Sequence, residues 1–343
     1  MSQLIVKPIG LPEQQDHGES IFPMIYGAEA SGSSADIASW VAEHRGVLED
    51  QLALHGAILF RGLGLVDDQD FDGFIRAFDW PNFTYAESLS NAVRRNRTEL
   101  VFTANEAPSE VSIFLHHEMA QTPIFPSKLF FFCEQAAEIG GATPICRSDI
   151  LLQRLQQQVP EFVADCAAKG VRYSQTMPAE EDMASGQGRS WPSTLSVENT
   201  KSIEGIEGIE GAASSESREQ AEAKLKKLGY TWAWQADNSL FVTTPVLPAL
   251  RELADGTTVF FNQLIAAFRG WKDARNTGGK SICFGDGSAI SLDDMAVAID
   301  IAEELTFDIP WQSGDVALVD NFLAMHGRRP FEGQRKVLAS LVS

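Results

Sequence analysis

From about residue 100 onward the apolar residues arrive in short runs separated by turns, at 100–103, 112–115, 128–133, 143–146, 257–261, 317–320 and 335–341. Runs of this length suit strands, and so many on one long chain build a sandwich or a barrel. Helical periodicity is confined to a few stretches. Residues 35–54 place apolar side chains at three- and four-residue spacing, and 67–78 puts Phe71, Phe74, Ile75 and Phe78 on one side behind an acidic first turn. Between them the glycine-bounded run 56–62 reads as a buried strand. Further helices are expected near 147–168, 216–228 and 291–304, the last behind Ser291-Leu292-Asp293-Asp294. The expectation is a mainly β chain with flanking helices, a single domain over residues 1–343.

One stretch stands apart. Ile-Glu-Gly repeats three times between Ser202 and Gly211 and runs into Ala212-Ala213-Ser214-Ser215. A three-residue period is far below that of a solenoid unit, and its glycines favour a flexible surface insertion near 202–215.

The 343 residues carry a formal net charge of −20. Nucleic-acid and anionic-membrane partners need basic patches, so this balance argues against both. Cys133, Cys146, Cys166 and Cys283 are widely spaced, without a C-x-x-C knuckle or the density of a disulfide scaffold. The N-terminus lacks an apolar signal region, and no apolar run approaches the ~18 residues of a membrane span. These features predict a soluble cytoplasmic protein.

The chemistry concentrates in Phe114-Leu115-His116-His117-Glu118-Met119. Residues two apart on a strand share a face, so His116 and Glu118 could grip one side of a metal while His117 points away. His326, in Asp320-Asn321-Phe322-Leu323-Ala324-Met325-His326-Gly327-Arg328, is the candidate third ligand. Two histidines and one carboxylate on one face, with open positions left over, is the ligand set of non-haem Fe(II) oxygenases. A zinc hydrolase fits poorly, because no H-E-x-x-H helix is present.

His116-x-Glu118 is followed in order by Gly140-Gly141-Ala142-Thr143-Pro144, by Trp311-Gln312-Ser313-Gly314-Asp315-Val316, by His326 and by Arg335. In this order, and in the blocks 116–144, 259–263 and 314–335, the chain resembles the taurine dioxygenase-like Fe(II)/2-oxoglutarate-dependent oxygenases. Within them it is most similar to the branch of the syringomycin-biosynthesis amino-acid hydroxylase. His117 stands where that branch often has asparagine, and the Ile-Glu-Gly insertion is foreign to its pattern.

The resemblance implies a double-stranded β-helix, or jelly-roll, core in which His116, Glu118 and His326 hold Fe(II). It leaves positions for 2-oxoglutarate and dioxygen. Arg335 offers a planar fork and Thr143 a hydroxyl for the distal carboxylate of 2-oxoglutarate. Lys336 competes with Arg335, but neighbours on a strand face opposite ways, so only one should point inward. Asn321 is placed to steady the metal-bearing strand. Arg94, Arg95 and His117 are the candidates for substrate contact, with a solvated surface as the alternative for the arginines and a structural role for His117.

The function so implied is hydroxylation of an amino acid or amino-acid-derived small molecule, free or tethered to a carrier protein, in secondary metabolism. Desaturation, epoxidation or cyclisation on the same scaffold stays open, as does a non-catalytic jelly-roll binding protein. Halogenation is disfavoured, since Glu118 fills the position a halide would need.

Overall fold

A computed structural model describes residues 4–83, 89, 90, 92, 94–182, 188–197, 215–270, 275 and 281–343. The repeat at Ser202 to Gly211 lies outside the described residues.

Two sheets form the core. The larger has seven strands in the spatial order Val6–Pro8, Met24–Ala28, Ala57–Arg61, Val316–Asp320, Lys128–Gln135, Lys336–Val342 and Phe102–Thr103. The smaller runs Thr306–Ile309, Thr143–Arg147, Ala324–Arg328, Ile113–His116. Alternation along the strands sorts the side chains. Phe130 and Phe132 pack with Ile58, Phe60 and Leu318 under the helices Ser34–His55 and Asp68–Arg76. Leu129, Phe131 and Cys133 point the other way and meet Ile145, Phe307, Ile309 and Ala324 of the smaller sheet. The layer between the sheets is therefore closed and apolar, as the jelly roll requires.

The outer face of the smaller sheet is covered by helices, with Leu115, Cys146 and Met325 packed on Leu151, Leu155, Phe162, Leu264 and Ile301. The expected helix 147–168 is two helices, Ser148–Gln158 and Pro160–Lys169. Pro160 has no N–H to donate and pushes Val159 out of the helical region, to φ −136 and ψ 60. The expected strand at 257–261 shrinks to Thr258–Val259. A further sheet of Thr231–Trp234, Leu240–Thr243, Val171–Met177 and Ile282–Phe284 lies on the chain between the two ligand-bearing regions. Among the described residues no helix is long and apolar enough to cross a membrane.

Candidate metal centre

The two halves of the centre meet because their strands pair. Ala324–Arg328 runs antiparallel to Ile113–His116, with His326 directly opposite His116. The imidazole rings stand 4.4 Å apart, between centroids. The register slips between His326 and Arg328, and Gly327 makes this bulge feasible: a Cβ there would sit 2.4 Å from the Ile113 carbonyl oxygen.

Glu118 arrives differently from the sequence expectation. The strand ends at His116, so simple alternation does not aim the carboxylate. Asn321 does. Its Oδ1 accepts from the Glu118 N–H at 2.7 Å, and its Nδ2 donates to the Glu118 carbonyl at 3.0 Å and to the Pro126 carbonyl at 2.8 Å. Asn321 is fully buried.

The result is a cluster in which one ligand atom each from His116, Glu118 and His326 lies within 4.8 Å of the others. Neighbouring ligands bound at ~2.1 Å to one octahedral ion are about 3 Å apart, so a modest contraction completes the set. His326 Nε2 is already 3.4 Å from Glu118 Oε2. His116 Nδ1–H donates to the Phe114 carbonyl at 2.8 Å, which leaves Nε2 as the free lone pair. Burial and the nearby His326 lower His116 to about 4, so the imidazole is neutral at neutral pH. Burial alone would raise the Glu118 carboxyl, but Arg94, His326 and His116 outweigh it and hold it below the usual range. A neutral imidazole and an anionic carboxylate are the forms that bind a divalent cation. His326 Nδ1 is buried without a hydrogen-bond partner. The donor set fits iron with open positions.

The 2-oxoglutarate candidates lie on the same side. Arg335 donates from Nε to the Gly141 carbonyl at 2.8 Å and reaches Thr143 Oγ1 at 3.4 Å, while Trp311 Nε1 donates to that hydroxyl at 2.9 Å. Gly141, at φ +72, makes room: a Cβ would lie 3.0 Å from Arg335 Cδ. Burial, then Arg328, lowers Arg335 to about 10, which still leaves it a cation. The Arg335 contacts are neutral oxygens, so a carboxylate would complete its surroundings. Lys336 faces outward, its side chain 56% exposed. Arg328, which sequence reasoning missed, is buried and donates to the carbonyls of Asn105, Ala107, Pro108 and Val111, tying that loop over the ligand strand. Its place two residues beyond His326 was the available signal.

The substrate-contact candidates separate. His117 is fully buried, and burial lowers it to about 3. Neutral, it donates from Nδ1 to the Asn321 carbonyl and accepts at Nε2 from the Ser148 hydroxyl at 2.6 Å. Both nitrogens are used, so the substrate-facing alternative gives way to the structural one. Arg95 is a surface residue, 70% exposed, paired with Glu106 at 3.3 Å. Arg94 goes inward instead, its Nη2 donating to both Glu118 oxygens at 3.0 and 3.1 Å.

Comparison with known proteins gives a family. The model of "Taurine catabolism dioxygenase TauD, TfdA family" matches residues 17–341. A clavaminate synthase-like protein of Arabidopsis thaliana is 32% identical over 348 residues, 99% of each chain. The dapdiamide synthesis protein DdaC of Enterobacter agglomerans is 27% identical over 350 residues, 95% of each. Of the solved structures, PvcB from Pseudomonas aeruginosa is similar in fold at a TM-score of 0.52 and 12% identity, covering 99% of this chain and 91% of that one. AAD-2, in complex with Mn(II) and N-oxalylglycine, gives 0.50 at 12% identity, covering 99% and 98%. With a jelly-roll core, a His-Glu-His cluster where two of its strands pair and a family match along nearly the whole chain, the protein belongs to the taurine catabolism dioxygenase TauD, TfdA family.

Proposed function

We propose that this dioxygenase hydroxylates an unactivated C–H bond of an amino acid or an amino-acid-derived small molecule, free or carrier-tethered. The observation that carries the reading is the cluster of His116, Glu118 and His326, with its ligand atoms within 4.8 Å. Fe(II), 2-oxoglutarate and dioxygen are the cofactor and cosubstrates that the family uses. Bound there, iron supplies the oxidative chemistry: one oxygen atom goes to 2-oxoglutarate, giving succinate and carbon dioxide, and the other to the substrate.

The protein's own residues do the holding. His116, Glu118 and His326 would ligate the metal on one face, and Asn321 holds Glu118 in place by its backbone. Arg335 and Thr143 would receive the distal carboxylate of 2-oxoglutarate, with Trp311 orienting the Thr143 hydroxyl. Phe131, its ring 5.1 Å from that of His326, helps exclude water from beneath the site. The likeness to a dapdiamide synthesis protein supports a biosynthetic small-molecule substrate.

The test has two stages. Anaerobic addition of Fe(II) and 2-oxoglutarate should produce a weak visible charge-transfer band, and its absence would remove the metal reading. Amino acids are then screened for substrate-dependent succinate, with mass detection of a product heavier by one oxygen. A product lighter by two hydrogens would replace hydroxylation with desaturation.

A further inference from the structure

Packing gives Gln121 no reason to be a glutamine. It lies three residues beyond Glu118, and with Leu225, Tyr230 and Val242 it lines a narrow cavity beside the strand Val171–Met177. Those three residues belong to an apolar cluster, so an aliphatic side chain would suit the wall better. Yet Gln121 is 6% exposed, and its Oε1 is buried without a hydrogen-bond partner. A buried amide oxygen left unbonded is destabilising, and a water or a ligand donor is what satisfies it.

The other polar groups of the wall are engaged nearby. Thr122 Oγ1 donates to the Ile124 carbonyl at 2.6 Å, Thr244 Oγ1 accepts from the Tyr173 N–H at 3.1 Å, and the Tyr173 hydroxyl accepts from the Gln263 N–H at 3.0 Å. Burial raises the Tyr230 phenol, which therefore stays neutral. Among the described residues no charged side chain lines the cavity, so an ammonium or a carboxylate there would be an uncompensated buried charge. What fits is an uncharged group that donates to Gln121 Oε1, a hydroxyl or a primary amide.

The cavity is also tied to the metal centre. Gln263, held by Tyr173, donates from Nε2 to the His117 carbonyl at 2.9 Å, while Asn321 accepts from the Glu118 N–H at 2.7 Å. That carbonyl and that N–H belong to one planar peptide unit, which is gripped on both sides. The cavity wall and the metal-ligand candidate thus share one hydrogen-bonded frame, and a group seated beside Tyr173 is fixed relative to Glu118.

We propose that this cavity receives an uncharged hydrogen-bonding end of the substrate and that Gln121 selects it. The substrate class is then an amino acid or derivative whose far end is a hydroxyl or a primary amide. A cavity this narrow admits such a terminal group and not a whole molecule. That the ligand is the substrate rests on the hydroxylase reading above; that the cavity takes an uncharged group does not.

Saturation-transfer NMR on the full chain, with acetamide, acetate and methylammonium as probes, tests the cavity without any turnover. Acetamide should bind saturably, and both ions at least tenfold more weakly. Gln121→Met, similar in volume, should weaken acetamide at least tenfold, while Gln69→Met, at an exposed position, should match wild type. Should the methionine variant fail to fold, Gln121→Asn draws the oxygen back by one methylene and should also weaken acetamide. No acetamide binding to wild type, with water alone in the cavity, overturns the proposal. So does an equal affinity in Gln121→Met, or a preference for either ion. For an amino acid found by the succinate screen, Gln121→Met should then raise KM at least tenfold and change kcat less. An unchanged KM removes the cavity from the substrate site. If acetamide binds as expected and no amino acid is turned over, the hydroxylase reading has failed and the assignment of the cavity to an uncharged group has not.

Discussion

Asn321 grips Glu118 at both ends of its backbone, accepting from its N–H at 2.7 Å and donating to its carbonyl at 3.0 Å across 203 residues of sequence. A fully buried side chain thus holds the backbone of a metal-ligand candidate and ties it to the Pro126 carbonyl as well. Asn321→Asp replaces the amide donor with a carboxylate facing two carbonyls. We expect it to lower Mn(II) affinity by about 10- to 100-fold and stability by roughly 1–3 kcal/mol. Metal titration and urea unfolding check this. Unchanged Mn(II) affinity would reduce the clamp to a packing contact.

Glu118→Ala removes a ligand candidate and also takes the Glu118 carboxylate away from Arg94. Turnover should vanish, and stability should fall by about 3–5 kcal/mol, the cost of breaking one side of a buried ion pair. The double variant Glu118→Ala with Arg94→Met should recover most of that loss without recovering metal binding. Additive losses in a double-mutant cycle would mean the pair is not coupled.

The two sides of the Arg335–Lys336 step should behave oppositely. Arg335→Ala should raise the KM for 2-oxoglutarate by about 100-fold or more, since each 1.4 kcal/mol is tenfold and a buried charge pair costs several. Lys336→Ala, at an outward-facing position, should change it less than about twofold. Succinate formation against 2-oxoglutarate concentration measures both, and exchanged results would put the wrong residue in the barrel.

Gly141→Ala tests the turn that admits Arg335. The added Cβ would crowd Arg335 Cδ at 3.0 Å and Ala137 Cβ at 2.9 Å, at a φ of +72 that disfavours alanine. The KM for 2-oxoglutarate should rise, with the visible band of the iron complex weakened in proportion. A variant with wild-type KM would show that Arg335 does not depend on this approach.

His116 and His117 make the metal-free protein acid-sensitive. Their folded values are lowered to about 4 and about 3 from 6.5, so below 6.5 the unfolded chain binds protons that the folded one refuses. Stability is therefore complete above pH 6.5 and declines as pH falls toward 4, by up to ~1.4 kcal/mol per pH unit for each histidine. His117→Gln should roughly halve that slope. Urea unfolding at pH 7, 6 and 5 measures it, and a slope that is unaffected would assign the acid sensitivity elsewhere.

Much of this could be read before any fold was known. The short apolar runs announced the sheets, and the helix at Ser34–His55 fell within a residue of its expected limits. His116, Glu118, His326, Thr143 and Arg335 were nominated by motif order. The strand that bears His326 was not read as a strand, because Ala324–Arg328 has neither a clean alternation nor an unbroken apolar run. Local signals also failed at Val159, where a proline one residue later ended a helix that periodicity would have continued.

What the sequence by itself determined is chemical: which side chains could bind a metal or a carboxylate, and that the chain had strands enough to bring them together. Only the tertiary structure decided their partners. Arg94 and Arg95 are neighbours with the same side chain, yet one enters the centre and the other meets solvent. His117 sits between two ligand candidates and is tied to Asn321 and Ser148 instead. Such choices depend on groups tens to hundreds of residues away, and a local pattern encodes which face a side chain takes but not what the fold will place opposite it.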